Sequence, residues 1–468
     1  APGGGGIDAT LGLYVGTTRI ASLPLTSRYA WVYGGESSSS DNQPGPGAHH
    51  FYDEARARFD LVPAGTTVTL QKDAEDTAAY YVVDLVDFEE VPAAIGMPAG
   101  ALSVLDFGAK PDDGGDDGPA LQKAIDAGRA QQKDVYLPPG RYRSATAPLA
   151  VRDVTVRGAG MWHTVVEGPF ARFDCGGSGC RYRDFALLGE TKTRDDQGAD
   201  NGFNGGAGKG SLLENVWVEH TKCGWWVGKN TSLGPGERPT DGLVIRNSRI
   251  RNTFADGVNL CNGASNSVVE QTHLRNTGDD ALATWSPSFD GPPGENNVFR
   301  FNTVQIPWRA NCFAIYGGKD HRIEDNVCSD VVMYPGVLVS SGFSAHPFAG
   351  TTSILRTTLT RAGGSMYGQE HGALKLFGDQ SDVAGIVAKD LLIEDATYSG
   401  VHVQGPKKVS GQLAAIQVTG GTTAGIRVEG NAVGSLELSG VAVSGYPKGA
   451  QNDAAGFQLV KGAGNTGW

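Results

Sequence analysis

No apolar run in the 468 residues approaches the ~18 needed to cross a bilayer, so nothing reads as a membrane-spanning helix. Charge is sparse as well. Only 19% of residues are Asp, Glu, Lys or Arg, and acids outnumber bases to give a net charge of −12. That sign disfavours nucleic acid, anionic membrane surfaces and polyanionic sugars as partners, and leaves a neutral ligand as the better match. Long amphipathic helices are few, and in their place stand 68 glycines, which suit many tight turns. No Cys-x-x-Cys and no histidines at metal-ligand spacing occur, which argues against zinc. The chain opens Ala1-Pro-Gly-Gly-Gly-Gly without Met or leader, compatible with a processed secretory start; an extracellular, monomeric protein is the expectation.

Six cysteines are present, and Cys175-Gly-Gly-Ser-Gly-Cys180 can close a small disulfide ring. Cys223, Cys261, Cys312 and Cys328 read as buried thiols. The length predicts two domains, residues 1–95 and 100–468, joined by a linker from Pro92 to Gly100. The first has short β-prone pieces, Leu11–Val15, Thr67–Leu70 and Tyr80–Val86, cut by Gly, Pro, Ser and Asp, which predicts a small β-sandwich-like domain. Its loop at 37–48 and the nearby Asp41, Asn42 and Asp53 are acidic or polar enough to hold a structural calcium or a sugar, although such residues are more often merely solvated.

From Asp116-Asp-Gly-Pro119 onward, an N-cap cluster with Pro in the first turn predicts one short helix that closes the end of a solenoid. Beyond Ser211 short strands recur every 20 to 30 residues, and Asn247, Asn302 and Asn326 fall in one column. The fold class predicted is all-β, a right-handed parallel β-helix.

The centre of the chain is a repeat at a 24-residue offset: Asn252/Asn276, Thr253/Thr277, Asp256/Asp280 and Val258/Leu282. If each copy is one coil, strands about 4.8 Å apart bring Asp256, Asp279 and Asp280 together. Inward positions Val258/Leu260, Leu282/Thr284, Phe313/Ile315 and Val337/Val339 alternate with an outward column of Cys261, Trp285 and Tyr316, and Asn311 continues the acidic corner. Asp-Gly pairs are turn formers by themselves, but three converging carboxylates raise one another's pKa and suit acid–base cleavage of a glycosidic bond. Trp285, Trp308 and Tyr316 are candidate sugar platforms, Trp225-Trp226 a candidate cleft end, and Lys319, Asp320, His346, Gln369 and His371 candidate hydroxyl contacts. The bland alternatives are core packing for the aromatics and surface ion pairing for Lys319 and Asp320.

Asp256 with the Asp279-Asp280 pair resembles the three-aspartate arrangement of β-helical inverting glycosidases. Asn276-Thr-Gly-Asp-Asp-Ala-Leu-Ala-Thr-Trp-Ser, Asn302-Thr-Val-Gln-Ile-Pro-Trp-Arg-Ala-Asn, Ala314-Ile-Tyr-Gly-Gly-Lys-Asp and Gly464-Asn-Thr-Gly-Trp look like glycoside hydrolase family 87, the α-1,3-glucanases and mycodextranases. No Gly-His-Gly or Arg-Ile-Lys follows the paired aspartates as in polygalacturonases, which argues against an acidic pectic substrate. The resemblance implies inversion on α-1,3-glucan or nigeran, endo attack, Asp279 as acid, Asp256 with Asp280 activating water, and no required cofactor. A β-helix hydrolase of dextran and a calcium-dependent polysaccharide lyase are the alternatives.

Overall fold

A computed structural model describes residues 7–32, 49–50, 52–192, 194–196, 198, 200–228 and 239–468. The chain forms two compact units, 1–93 with 191–198, and 94–190 with 199–468. In the first, the strands Asp8–Val15 and Thr18–Thr26 form an antiparallel hairpin, and Val68–Gln71 pairs on its other edge. Arg19 ties this sheet to the turn that follows it, through Asp73, Glu75 and Asp76. Tyr80–Val86, read above as β-prone, is not a strand. It gains no ladder partner among the described residues, and the side chains of Tyr80, Val82, Val83, Leu85 and Val86 are exposed. Asp41, Asn42 and the 37–48 loop lie outside the described residues. Asp53 is described, and its side chain accepts the Glu54 N–H at 2.8 Å.

The second unit is the solenoid. Its helix, Gly118–Gln131, buries Leu121, Ala124 and Ile125 against the first coil, with Pro119 in its first turn. Asp116 caps it, accepting the Gly118 and Ala145 N–H groups, while Asp117 accepts Lys110 N–H and Arg143 N–H and so stitches the cap to the coil. Beyond it two parallel sheets, of 22 and 12 strands, run the length of the unit. This is the all-β, right-handed parallel β-helix that the periodicity predicts. Val258, Leu282, Phe313 and Val337 stand in register and are buried inside the coils, as are Leu260, Thr284, Ile315 and Val339.

The corners repeat as regularly as the strands. Asn215, Asn247, Gln271, Phe301, Asp325 and Arg356 take left-handed φ at one corner, and Asn252, Asn276, Ile306, Asp330 and Arg361 at the next. Asn302 and Asn326 sit one residue beyond the first of these columns, where Asn326 Oδ1 accepts Asn302 N–H and Asn302 Oδ1 accepts Thr272 N–H. Asn247 therefore belongs to the left-handed column and not to the asparagine ladder, where Ser248 holds its place: the Ser248 hydroxyl accepts Val216 N–H. Both rungs do the same job, satisfying a buried N–H at a corner.

Two disulfides close inside the solenoid. Cys175–Cys180 joins the hexapeptide as predicted, and Cys312–Cys328, read above as two thiols, is the second. At this corner small residues face the large side chain of the following coil: a Cβ on Gly257 would fall 2.5 Å from Leu274. Cys312 occupies the equivalent position one coil beyond Ala281, and Cys328 the register position of Val304 and Leu359, so two cysteines replace one small–large pair. Cys223 and Cys261 are buried and in neither disulfide.

Candidate active site

Backbone bonds Gly224 N–H to Asp256 O, Gly257 N–H to Asp280 O and Ala281 N–H to Asn311 O fix the register of one corner. They stack Cys223, Asp256, Asp280 and Asn311 in a column at the entry to the 12-stranded sheet. One position earlier, the same register stacks Ala255, Asp279, Ala310, Tyr334 and His371. The Asp279 corner depends on Gly278, where a Cβ would fall 2.3 Å from Trp308 Cζ2 and 2.5 Å from Phe254 O. Glycine lets the corner close over a buried indole.

Asp256, Asp279 and Asp280 each bring a carboxylate oxygen within 4.8 Å of the others. Asp280 is buried, its Oδ1 accepting from Asn311 Nδ2 at 2.6 Å and Asn311 N at 3.2 Å, and its Oδ2 from the Tyr316 hydroxyl at 2.9 Å. Burial, then the charge of Asp279, pushes its pKa up to about 7 against those hydrogen bonds. Tyr316 is raised in turn, by burial and by the charge of Asp280. Asp279 is the accessible member, with 23% of its side chain exposed, and Arg309 Nη1 donates to its Oδ2 at 2.9 Å. Asp256 accepts from Asn259 Nδ2 at 3.1 Å and is otherwise buried. Carboxylates this close disfavour simultaneous ionisation, so the group can present a protonated carboxyl beside an ionised one. The same oxygens suit a hard divalent cation geometrically.

The aromatic candidates divide. Trp308 is buried beneath the Asp279 corner and packs there instead of serving as a platform, and Trp225 lies among Phe203 and Tyr182 in the coil interior, so it does not close the end of a cleft. Tyr316 is also buried and acts through its hydroxyl on Asp280. Trp285 faces outward, 6.3 Å from the Trp226 ring and 6.0 Å from Phe289, with Nε1 donating to Phe343 O. Lys319 and Asp320 lie past the far end of the strand Phe313–Tyr316, away from Asn311. There Lys319 pairs with Glu295 and Asp320 caps Thr351 N–H, a surface turn and not part of the carboxylate group. His346 donates to Gly291 O in the loop beyond the same end. Gln369 is exposed on the hairpin Gly364–Met366 and Gln369–His371, where it meets Gln404. His371 is buried, its Nδ1 2.9 Å from Lys375 Nζ. Arg309, Asn259 and Tyr334 are members of the site that sequence reasoning passes over. Arg309 lies inside the quoted Pro-Trp-Arg-Ala-Asn segment, two residues before Asn311.

A parallel β-helix with a buried carboxylate cluster at one sheet entry, flanked by aromatics, defines a class of coil proteins equipped for carbohydrate chemistry. Family models of the α-1,3-glucanase catalytic domain match this chain, domain D1 over residues 1–91 and domain D2 over 117–429. The chain belongs to that family, glycoside hydrolase family 87. The catalytic unit of a thermostable family 87 α-1,3-glucanase from Streptomyces thermodiastaticus is 33% identical over 99% of this chain and 85% of its own, with a TM-score of 0.83. The Agl-KA catalytic domain is 29% identical, covering 99% and 86%, with a TM-score of 0.86. A mannuronan C5-epimerase of Azotobacter vinelandii, AlgE6, is 34% identical over 178 residues, 33% of this chain; the match spans only 20% of the epimerase's length.

Proposed function

We propose that this chain is a secreted, endo-acting glycoside hydrolase that cleaves α-1,3-glucosidic bonds in a neutral glucan, α-1,3-glucan or nigeran, with inversion. The observation that carries the reading is the carboxylate cluster, three oxygens within 4.8 Å and one carboxyl raised to about 7. Family membership supplies the bond type, the net charge favours an uncharged chain, and two disulfides suit an oxidising compartment.

Asp279, the exposed carboxyl, is the one that reaches the glycosidic oxygen, and it serves as the acid. Asp256 and Asp280, stacked behind it, hold and activate the attacking water. Separate inverting carboxyls stand ~6.5–9.5 Å apart. The nearest oxygens of all three carboxylates are closer than that in this structure, and Asp256 and Asp280, stacked on adjacent coils, act on one water as a pair. Arg309 holds Asp279 until substrate enters, and protonation of Asp279 follows release of that ion pair. No metal takes part.

The test is product analysis on insoluble α-1,3-glucan, nigeran, dextran and polygalacturonate, with the anomer followed by NMR. Oligosaccharides of inverted configuration from either of the first two, and a loss of about 10³-fold in Asp279→Asn, are the expected results. Turnover of polygalacturonate, or undiminished activity in the variant, overturns the reading. A second reading, calcium-dependent β-elimination of a uronate polymer, in which a basic side chain takes the C5 proton beside the C6 carboxylate as the C4–O bond breaks, is favoured by the arginine at 2.9 Å from a carboxylate in a cluster that fits a cation. It predicts unsaturated, ultraviolet-absorbing ends and full loss of activity in chelator.

A further inference from the structure

Two loop residues outside the repeating corner columns carry exposed aromatic rings on left-handed backbone, Phe343 at φ 55° and Tyr367 at φ 55°. A left-handed conformation is costly for a bulky side chain and persists where surrounding bonds impose it. Around Phe343 they do: Gly342 N–H donates to Ser340 Oγ, Ser344 N–H to Gln380 Oε1, Ser288 N–H to Ser344 O, and Trp285 Nε1 to Phe343 O itself. Tyr367 forms the tip of the hairpin between Gly364–Met366 and Gln369–His371. The two residues are 62% and 48% exposed.

Each of these rings lies nearly perpendicular to a tyrosine of the site, Tyr316 buried and Tyr334 partly buried. Phe343 meets Tyr316 at 5.3 Å and 89°, and the Tyr316 hydroxyl is on Asp280. Tyr367 meets Tyr334 at 6.3 Å and 88°, and Tyr334 occupies the Asp279 column two coils on, roughly 10 Å along the axis. Tyr316 and Tyr334 both pack on one apolar floor, Ala283, Ala314 and Leu338. The exposed rings are therefore continuous with the carboxylates, one beyond the strand end and one along the axis.

We propose that Phe343 and Tyr367 are two pyranose-binding platforms, each stacking on a sugar ring of the neutral glucan that the carboxylates cleave, and that together they set how the chain lies across the site. A sugar ring offers C–H groups to an aromatic face, and neither platform carries a charge that an uncharged polymer would have to desolvate. This rests on the hydrolase reading above.

The experiment separates the two. Wild type, Phe343→Ala, Tyr367→Ala, Phe343→Trp and Tyr367→Phe are assayed on soluble α-1,3-linked oligosaccharides of increasing length. In parallel, each substitution is placed on Asp279→Asn, and binding to insoluble α-1,3-glucan and to dextran is measured by depletion. The alanine variants are expected to raise KM about tenfold on long substrates, shift the product lengths, and weaken binding to α-1,3-glucan equally, with kcat on the polymer and its pH profile unmoved. The aromatic replacements restore wild-type values. Binding lost in the alanine variants, but no turnover by wild type, supports the platforms and strikes the hydrolase reading. An active wild type with unaltered alanine variants overturns the platforms alone. A fall in kcat with a displaced pH profile overturns them too, because Phe343 would then act through Tyr316.

Discussion

Two clusters of buried ionisable side chains share the outward side of the 12-stranded sheet, and burial is the leading cause of displacement in both. In one it pushes Asp280 up to about 7; in the other it pulls Lys375 down to about 7, with His371 at about 3 and His402 at about 4. The neighbours differ. Asp280 is crowded by a like charge, Asp279, whose side chain is partly exposed. In the basic cluster the donors and acceptors are matched: His371 bonds Met366 O and Lys375, while His402 bonds Gly372 N–H and Glu429, which Arg427 also holds. Glu429 is drawn down to about 2 by that His402 bond. Burial alone thus moves a pKa without creating a reactive group. Crowding of like charges at a solvent-accessible carboxylate does create one.

Tyr316→Phe is the largest blow to the acidic cluster short of removing a carboxylate. The hydroxyl favours ionised Asp280, so its loss raises that pKa further. If Asp280 works as an ionised water-activating group, the acidic limb of kcat/KM moves to higher pH, and activity about one unit below the wild-type limb falls about tenfold. Movement of the alkaline limb instead would make Asp280 the acid. Lys375→Met, the counterpart in the basic cluster, leaves kcat within about twofold, since its partners are structural. A collapse of kcat there breaks the comparison.

Arg309→Gln sharpens the same contrast with a smaller effect, a change of a few fold in kcat/KM. Arginine stabilises the carboxylate beside it, so removing its charge makes the Asp279 proton easier to keep. With Asp279 as acid, the alkaline limb extends upward; with Asp279 as base, the acidic limb retreats upward. A pH profile on soluble oligosaccharides distinguishes them.

The acidic corner is legible in the sequence because Asn252-Thr-x-x-Asp256-x-Val258 and Asn276-Thr-x-x-Asp280-x-Leu282 repeat with the same internal spacing, so Asp256 and Asp280 align without knowing the fold. Its partners are not. Asn311 lies 31 residues after Asp280 and Tyr334 a further coil on, with unequal insertions between, and only the backbone register shows which corner residues share a column. The same inequality produces the one-residue slip that puts Asn247 beside Asn302. Trp308 reads as a platform because the sequence does not say whether an aromatic at a corner points in or out. The Cys312–Cys328 pair is hidden for a similar reason: sixteen residues of chain separate two positions that a coil corner brings to a Cα spacing of 6.0 Å.

The smallest effect, and the one that sets the clusters against each other most directly, is on stability. Asp280 has a folded pKa raised from 3.8 to about 7, so its contribution is fully present below pH 3.8 and is lost as pH rises through 7. His402 and His371 have folded values depressed from 6.5, so theirs is present above pH 6.5 and is lost as pH falls toward 4 and 3. Between pH 4 and 6.5 the two clusters push Tm in opposite directions. Asp280→Asn should therefore steepen the loss of Tm on acidification, while His402→Gln, which keeps a donor for Glu429, should flatten it, each by a few degrees between pH 6.5 and 4. Calorimetry of the two variants across that window reads the signs directly. Equal slopes in both would mean that neither cluster is neutralised by burial, and the contrast between them would rest on accessibility alone.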